Sequence, residues 1–286
     1  MDFYHELYDV LRRSQRGLRA PQPPLEEIAA VLAHSRRAVI LTGFPVDCAG
    51  HAVGETDGPQ GAAEIAAVLA ALGCHVTVAT DAVSLPLVRA AVTRWGGAET
   101  VCVPNAGTEA FARQALADAD LLVTIERPGK GADGHFHNMR GRIIDHMVTD
   151  TDCFLTVARE LGVVTVAIGD GGNELGMGAL AETVRREVPC GETIAAIQIA
   201  DYTLTAGVSN WWGPGIAALL SHETGRPLLR SGIEERAALA AVVAAGGVDG
   251  CTGRSELSVD AMPLAAHLAV RGALAAALAR EERLCG

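Results

Sequence analysis

A glycine-rich stretch directly after an apolar run constrains this chain more than any other feature. Residues 163–168 are Val-Val-Thr-Val-Ala-Ile, and five of the next ten residues, 169–178, are glycine. The apolar run predicts a buried strand. Glycine loses the most entropy on ordering, so many glycines together indicate sharp turns or a close approach to a ligand, whereas a plain turn needs only one or two. With Asp170, Asn173 and Glu174 inside it, the stretch predicts a small-ligand or metal site after a strand.

Apolar runs of strand length alternate with helix-length segments along the chain. Hydrophobic residues make up 49% of the sequence and aromatic residues 4%, so Ala, Val, Leu and Ile build most of the core. This pattern predicts an α/β fold with a mostly parallel sheet flanked by helices on both faces, three-layered and Rossmann-like, with extra N- and C-terminal helices. The predicted strands are 38–41, 75–79, 99–103, 121–125, 163–168 and 194–202. We assign residues 1–37 to an N-terminal helical segment and residues 38–286 to a single α/β catalytic domain.

Charged and amide side chains gather in the loops that follow the predicted strands. In a parallel sheet these loops emerge at the carboxyl edge, where ligands bind. The longest of them, residues 126–142, contains Lys130, the only lysine in the chain, and loops of this length in compact domains are often functional. The sequence therefore predicts one site built from several loops. Its members are Glu55, Asp57, Glu126, Lys130, Asp133, Asn138, Arg140, Asp170, Asn173, Glu174 and Asp201.

Charge and motifs argue against several classes of protein. The formal net charge is −11 and no basic cluster occurs, which disfavours nucleic acid and anionic membranes as partners. No apolar run approaches the ~20 residues of a membrane span. The N-terminus is acidic where a targeting peptide is basic, and the seven cysteines are scattered, so we expect a cytoplasmic protein.

The motifs G-x-x-x-x-G-K-[ST], G-x-S-x-G and H-E-x-x-H are absent, as is G-x-G-x-x-G after the first strand.

The predicted acidic site admits two kinds of chemistry. Its carboxylates are hard oxygen donors that suit Mg²⁺ or Mn²⁺. They also suit acid–base catalysis, with pKa values separated by burial. The candidate metal ligands are Asp170, Glu174, Glu55 and Asp57. His135 and His137 lie on one side of an extended segment, but two histidines without a third ligand are a weak metal signal. Both alternatives stay open, and no cofactor other than Mg²⁺ or Mn²⁺ is expected.

Several motifs in this chain resemble the D-glutamate cyclase family. They occur in order from about residue 38 to about residue 265, and the 169–178 stretch is long enough to be specific. The motifs are 42–45 (Thr-Gly-Phe-Pro), 54–59 (Gly-Glu-Thr-Asp-Gly-Pro), 132–134 (Ala-Asp-Gly), 138–141 (Asn-Met-Arg-Gly), 169–178 and 247–250 (Gly-Val-Asp-Gly). Animal members carry a preceding domain and are mitochondrial, so the resemblance implies a stand-alone, bacterial-type cytoplasmic enzyme.

The resemblance implies a hydro-lyase that converts D-glutamate to 5-oxo-D-proline and water. The α-amino nitrogen attacks the γ-carboxyl carbon of the same molecule, so the enzyme must hold a folded-back conformer. Asp170 or Glu174 would take the ammonium proton. Lys130, Arg140 or a divalent ion would neutralise the γ-carboxylate and the developing oxyanion.

The predicted site residues divide into two sets under this interpretation. Backbone N–H groups of Gly171 and Gly172, and of the helix that starts near Pro59, would bind the α-carboxylate. The catalytic set is Asp170, Glu174, Lys130 and Glu55. The substrate-binding set is Thr42, Gly43, Asp57, Glu126, Asp133, Asn138, Arg140, Gly171, Gly172 and Asn173.

The expected partner is the small molecule D-glutamate, with no nucleic acid or membrane partner and with homo-oligomerisation left open. Two alternative functions use the same acidic loops. One is a Mg²⁺-dependent α/β enzyme that handles phosphates or nucleotides. The other is a non-catalytic protein that binds small acids.

Overall fold

Strands and helices alternate along residues 2–13 and 18–285, the part of the chain that this computed structural model describes. The strands are β1 (Arg37–Thr42), β2 (Pro45–Cys48), β3 (His51–Gly54), β4 (His75–Thr80), β5 (Ala98–Cys102), β6 (Leu121–Ile125), β7 (Val164–Gly169), β8 (Tyr202–Thr205), β9 (Ser258–Val259) and β10 (Met262–Pro263). The helices are α1 (Phe3–Leu11), α2 (Leu25–His34), α3 (Pro59–Ala71), α4 (Leu85–Trp95), α5 (Thr108–Leu116), α6 (Cys153–Leu161), α7 (Ala181–Glu187), α8 (Gly191–Ile194), α9 (Trp212–Thr224), α10 (Gly232–Ala244) and α11 (Leu264–Cys285). Within the described ranges, none of these helices has the length and hydropathy to cross a membrane.

Strands β1 and β4 to β8 form one parallel sheet in the order β5-β4-β1-β6-β7-β8. Ile40 of β1 pairs with Val78 of β4 on one side and with Val123 of β6 on the other. The chain proceeds outward from β1 to β4 and β5, then returns to β6 and proceeds outward the other way. In such doubly wound sheets ligands bind outside the carboxyl ends of the strands where the order reverses, here between β1 and β6. The α/β prediction is confirmed.

Alternate residues of β1 enter different cores because successive side chains of a strand point to opposite faces. Ala38 and Ile40 belong to the larger core, which also contains residues of α3 and α9. Val39 and Leu41 belong to a second core, which contains residues of α5 and α6. Helices therefore cover both faces, as predicted. Helices α1 and α2 also contribute to the larger core.

The last strand of the sheet lies further along the chain than the sequence predicts. Of the predicted strand 194–202, only Tyr202 belongs to β8. The preceding apolar residues pair with neighbouring loops instead of with β7. Ala196 N, for example, donates to Gly172 O at 3.0 Å.

Asp201 consequently lies at the sheet edge opposite the predicted site. Tyr202 at the start of β8 pairs with Val166 of β7. The Asp201 carboxylate accepts hydrogen bonds from Thr165 N and Thr165 Oγ1, both at 2.8 Å. These residues mark the amino ends of β7 and β8, so the inclusion of Asp201 in the carboxyl-edge site is wrong.

The loop predicted between the first strand and α3 contains a hairpin. Strands β2 and β3 pair antiparallel, with Val46 opposite Val53. The backbone then returns to the sheet edge, where Glu55 N donates to Phe44 O at 3.1 Å. The hairpin thus delivers Glu55 and the residues after it to the carboxyl end of β1.

Candidate active site

Acidic side chains gather where the strand order reverses, outside the carboxyl ends of β1, β6 and β7. The cluster consists of Glu55, Asp57, Glu126, Asp170, Glu174 and Asp260. Carboxylate oxygens of Asp57, Asp170 and Asp260 lie within 4.8 Å of one another, and so do those of Glu126, Asp170 and Glu174. Asp170 belongs to both groups, and all members except Asp260 are buried. Five of these residues were predicted from the sequence to converge here.

The glycine-rich loop after β7 folds around its own glutamate. Glu174 Oε1 accepts hydrogen bonds from Asp170 N at 2.9 Å and Gly171 N at 2.7 Å, and Oε2 accepts one from Gly172 N at 2.6 Å. Successive N–H groups of this kind form an anion-binding concavity. A Cβ atom on Gly169 would lie 2.6 Å from Glu174 Cδ, so the loop needs glycine there.

These bonds change the roles expected of the loop. The amides of Gly171 and Gly172, which were predicted to bind a substrate carboxylate, donate to Glu174 in this structure, and their contact with a substrate stays a prediction. Both oxygens of Glu174 are engaged by backbone N–H groups. This arrangement makes Glu174 the group that holds the loop in shape and leaves Asp170 at its tip as the better candidate base.

Asn173 ties this loop to the long loop after β6. Its side-chain Nδ2 donates to His137 O at 2.8 Å, and its backbone carbonyl oxygen accepts from Gly129 N at 2.9 Å. Leu175 N donates to Arg127 O at 2.7 Å. Asn173 therefore joins two loops of the site, and its predicted contact with a substrate stays a prediction.

Asp57 holds the start of the segment that leads into α9. Its carboxylate accepts hydrogen bonds from Ser209 N at 3.0 Å and Asn210 N at 2.8 Å, besides its neighbour Gly58 N at 2.9 Å. In return Asn210 Oδ1 accepts from Gly58 N at 3.0 Å and Gly61 N at 2.7 Å. The starts of α3 and α9 are thereby locked together beneath the acidic cluster.

Glu126 occupies a strained position at the end of β6. Its φ of +43° lies in the left-handed region, which non-glycine residues adopt rarely and at a cost, most often at functional sites. Its Oε2 accepts a 2.5 Å hydrogen bond from Ser209 Oγ. The backbone turn aims this carboxyl group into the cluster instead of along the strand.

Burial raises the pKa values of three of the clustered carboxyls, because charge is disfavoured away from water and neighbouring carboxylates repel one another. Burial first, and the charge of Asp170 second, raise the pKa of Asp57 to about 7 and that of Glu174 to about 7. The same two causes raise the pKa of Glu126 well above its usual value. Carboxyl groups in this range can both give and accept protons at neutral pH.

Thr42 and Gly43 close the cluster at the end of β1. Thr42 Oγ1 is buried and has no hydrogen-bond partner within the described ranges. A Cβ atom on Gly58 would lie 2.9 Å from Thr42 Oγ1 and 2.8 Å from Glu126 Cβ, so the hydroxyl lies beside the cluster. Gly43 has a φ of +105°, and a Cβ there would lie 2.6 Å from Ser84 Cβ.

Apart from Glu126, the structure does not bring the predicted residues of the long loop after β6 into the acidic cluster. Lys130 Nζ forms an ion pair with Asp150, and that hydrogen bond raises the lysine pKa. Asp133 and Arg140 are exposed. Asn138 Oδ1 accepts from Arg140 N at 3.0 Å and stabilises the loop turn. Lys130 and Arg140 thus lie outside the acidic cluster in this arrangement, and their predicted role at a substrate carboxylate stays a prediction.

The two histidines of the long loop bind different carboxylates. Exposed His135 pairs with Asp145 through Nδ1 at 2.6 Å, and that hydrogen bond raises its pKa. Buried His137 pairs with Asp133 through Nε2 at 3.2 Å. One histidine is exposed and the other is buried, and each ion pair stabilises the structure of the loop.

Sequence reasoning missed four residues that build the site. Asp260 lies in a tight turn of the β9–β10 hairpin, outside the strand–loop–helix pattern used for the prediction. Ser209 and Asn210 were interpreted as the entry to a helix. Arg127 was overlooked beside Glu126; its fully buried side chain bonds to groups from three other segments. A rule that also scored polar residues next to predicted caps would have found Ser209 and Asn210.

The fold and cluster together define a doubly wound α/β protein with a cluster of carboxyl groups where the strand order reverses. Residues 10–274 match the family model described as D-glutamate cyclase-like, C-terminal. The chain belongs to that family, which confirms the resemblance seen in its motifs. It is 35% identical over 210 residues to the human protein named D-glutamate cyclase, mitochondrial, a match that covers 66% of this chain and 33% of the human protein. The chain thus matches about a third of the length of this relative.

The raised pKa values predict that the cluster destabilises the protein as pH rises. Asp57, with a folded-state pKa of about 7 against 3.8, keeps its proton in the folded chain at pH values where the unfolded chain has lost it. Its stabilising contribution is full below the unfolded pKa and is lost as pH rises through the folded one. Urea unfolding between about pH 5 and about pH 7.5 should therefore show a free energy of unfolding that falls less steeply in Asp57→Asn than in the wild type. Equal slopes would contradict the assignment.

Proposed function

We propose that this protein is a D-glutamate cyclase, a hydro-lyase that converts D-glutamate to 5-oxo-D-proline and water. Family membership and the name of the human relative support this proposal. The observation that carries it is that buried Asp170 belongs to both groups of clustered carboxyls where the strand order reverses. Such a site suits a small substrate that exchanges protons with its surroundings.

The reaction needs groups that both accept and donate protons. The α-amino nitrogen forms a bond to the γ-carboxyl carbon, and a C–O bond breaks as water leaves. Two protons leave the ammonium group, and two reach the departing oxygen. Carboxyls with pKa values near 7, such as Asp57, can serve either transfer. Asp170 is the proposed base, and Glu126, whose pKa burial raises well above its usual value, is the proposed acid at the γ-carboxyl group.

We include Mg²⁺ or Mn²⁺ in the proposal as an optional component. Glu126, Asp170 and Glu174 offer oxygen atoms within 4.8 Å of one another, and carboxylate oxygens are the ligands these ions prefer. The buried, unpartnered Thr42 hydroxyl beside them is a further polar group for an ion or its ligands. When bound, such an ion would supply Lewis-acid stabilisation of negative charge on oxygen.

We further propose the cytoplasm as the location and a small molecule as the partner. The six cysteines whose side chains the structure describes are free thiols, which suits a reducing compartment. The net charge of −11 disfavours nucleic acid. Light scattering of the purified protein tests whether the chain forms a homo-oligomer.

The test is turnover of the two glutamate enantiomers. Purified protein is incubated with D-glutamate or L-glutamate, each with EDTA, Mg²⁺ or Mn²⁺, and NMR follows 5-oxoproline. We expect product from the D isomer, and dependence on added metal would assign carboxylates as ligands. Folded protein without turnover would overturn the proposal. Tight D-glutamate binding without product would then indicate a small-acid-binding protein, and ATP binding would indicate a phosphate-handling enzyme.

A further inference from the structure

The turn of the β9–β10 hairpin presents an acidic residue to the site. Val259 pairs with Met262, so the turn contains only Asp260 and Ala261. Their φ values are +55° and +62°, the combination of the two-residue hairpin turn that matches the twist of paired strands. Aspartate tolerates this conformation better than most residues with a side chain.

A buried aspartate holds both the strand before this turn and the second residue of the turn. Asp249 is fully buried, and its Oδ2 accepts hydrogen bonds from Ser258 Oγ at 2.6 Å and from Ala261 N at 2.8 Å. Ser258 O in turn accepts from Thr56 Oγ1 at 2.9 Å. Since Thr56 precedes Asp57 in the chain, the hairpin is attached directly to the segment that carries the site.

The hairpin segment packs against the acidic cluster. Asp260 carboxylate oxygen lies within 4.8 Å of those of Asp57 and Asp170. A Cβ atom on Gly250 would overlap Glu55 Oε2, so the backbone of this loop lies directly against the cluster. Independently, Thr42 Oγ1 is fully buried, has no hydrogen-bond partner among the described residues and lies beside Glu126, so the cluster holds a hydroxyl that a ligand can bind.

We infer that Asp260 is a substrate-binding residue that recognises the α-ammonium group of D-glutamate together with Asp57 and Asp170. An ammonium group presents three donors and no acceptor, and ionised carboxylates present only acceptors. Three carboxylates from separate segments around one point therefore match one ammonium group, and such charge-assisted hydrogen bonds are the strong ones. The inference rests on the proposed function, since it takes D-glutamate as the ligand.

The test compares D-glutamate with glutarate, which has both carboxylates but no ammonium group. We expect Asp260→Asn to raise the KM for D-glutamate by about tenfold to about a hundredfold, the loss of one charged hydrogen bond. The inhibition constant of glutarate should stay unchanged or fall, because glutarate brings only negative charge to the cluster. Asparagine keeps the size of the side chain and accepts the positive φ, so the turn should be retained.

Asp47→Asn is the matched control, because Asp47 is an exposed aspartate of β2 in the other hairpin, where it accepts from Gly50 N of the hairpin turn. This variant should change neither the KM for D-glutamate nor the inhibition constant of glutarate. Equal weakening of D-glutamate and glutarate in Asp260→Asn would overturn the inference in favour of a structural role. Loss of Mn²⁺ affinity, measured by calorimetry, with unchanged D-glutamate affinity would overturn it in favour of a metal ligand. If D-glutamate is not turned over, calorimetric titration of the same two ligands keeps this test separate from the proposed activity.

Discussion

Asp170→Asn is expected to reduce kcat for 5-oxoproline formation by about a thousandfold or more, the scale of losing a positioned base. Asp170 is the one residue common to both groups of clustered oxygens, and the amide of asparagine cannot take a proton from an ammonium group. The same variant should be more stable than the wild type at about pH 8, by on the order of 1 kcal/mol. Its charge is a cause of the raised pKa values of Asp57, Glu126 and Glu174, so its removal relieves their repulsion.

Opposite changes in activity and stability distinguish a functional residue from a structural one. The matched control is Asp201→Asn, which changes the same residue type at the opposite edge of the sheet. Asp201 accepts two 2.8 Å hydrogen bonds from Thr165, so that variant should lose stability and keep its kcat. Activity is followed by NMR and stability by urea unfolding. An active Asp170→Asn protein, or an inactive one that is also less stable, would contradict the role given to Asp170.

The inner strands of the central sheet could be predicted because they are buried on both faces. Parallel strands of this kind appear as continuous apolar runs rich in Val and Ile, and β1, β4, β6 and β7 all do. The edge strands β5 and β8 are more polar, and of the two it was β8, Tyr-Thr-Leu-Thr, that the sequence misplaced. The more apolar residues just before it attracted the prediction, although their backbone hydrogen bonds go to loops of the site.

The candidate site was predictable as far as strand direction determines it. Because parallel strands end at one edge, Glu55, Asp57, Glu126, Asp170 and Glu174 could be grouped without knowing any distance. What each carboxyl group binds could not be predicted. Whether the amides of the glycine-rich loop face a substrate or their own glutamate depends on backbone angles that composition does not determine.

Two residue-level features misled or escaped the sequence argument for physical reasons. The uniqueness of Lys130 is a compositional fact, and its amine pairs with Asp150, away from the cluster. Asp260 comes to the cluster through a hairpin far along the chain from the sheet strands, and its position depends on the tertiary contacts of Asp249. Tertiary placement of this kind leaves no local periodicity to detect.

Arg127 holds together the loops on which the acidic cluster is built. Its guanidinium group is fully buried and bonds to Asp81 Oδ2 at 2.6 Å, Gly43 O at 3.1 Å, Thr149 O at 2.5 Å and Thr151 Oγ1 at 3.0 Å. These partners follow β1 and β4 and precede α6. One side chain thus satisfies buried acceptors from three segments beside the site.

Arg127→Met is expected to lower the free energy of unfolding by about 3 to about 5 kcal/mol, because it leaves the Asp81 charge buried without its partner. The matched control is Arg113→Met. Arg113 also pairs with two carboxylates, Glu109 at 2.9 Å and Glu160 at 2.7 Å, but all three side chains are exposed. Solvent screening makes the loss in that control much smaller than in Arg127→Met.

Urea unfolding of both variants measures the difference, and a second substitution tests its cause. Adding Asp81→Asn to Arg127→Met removes the stranded charge, so the double variant should recover about 1 kcal/mol or more relative to Arg127→Met alone. Equal losses in Arg127→Met and Arg113→Met would show that the buried pair does not hold the loops. A double variant less stable than the single one would show that the damage lies in the lost carbonyl contacts and not in the charge of Asp81.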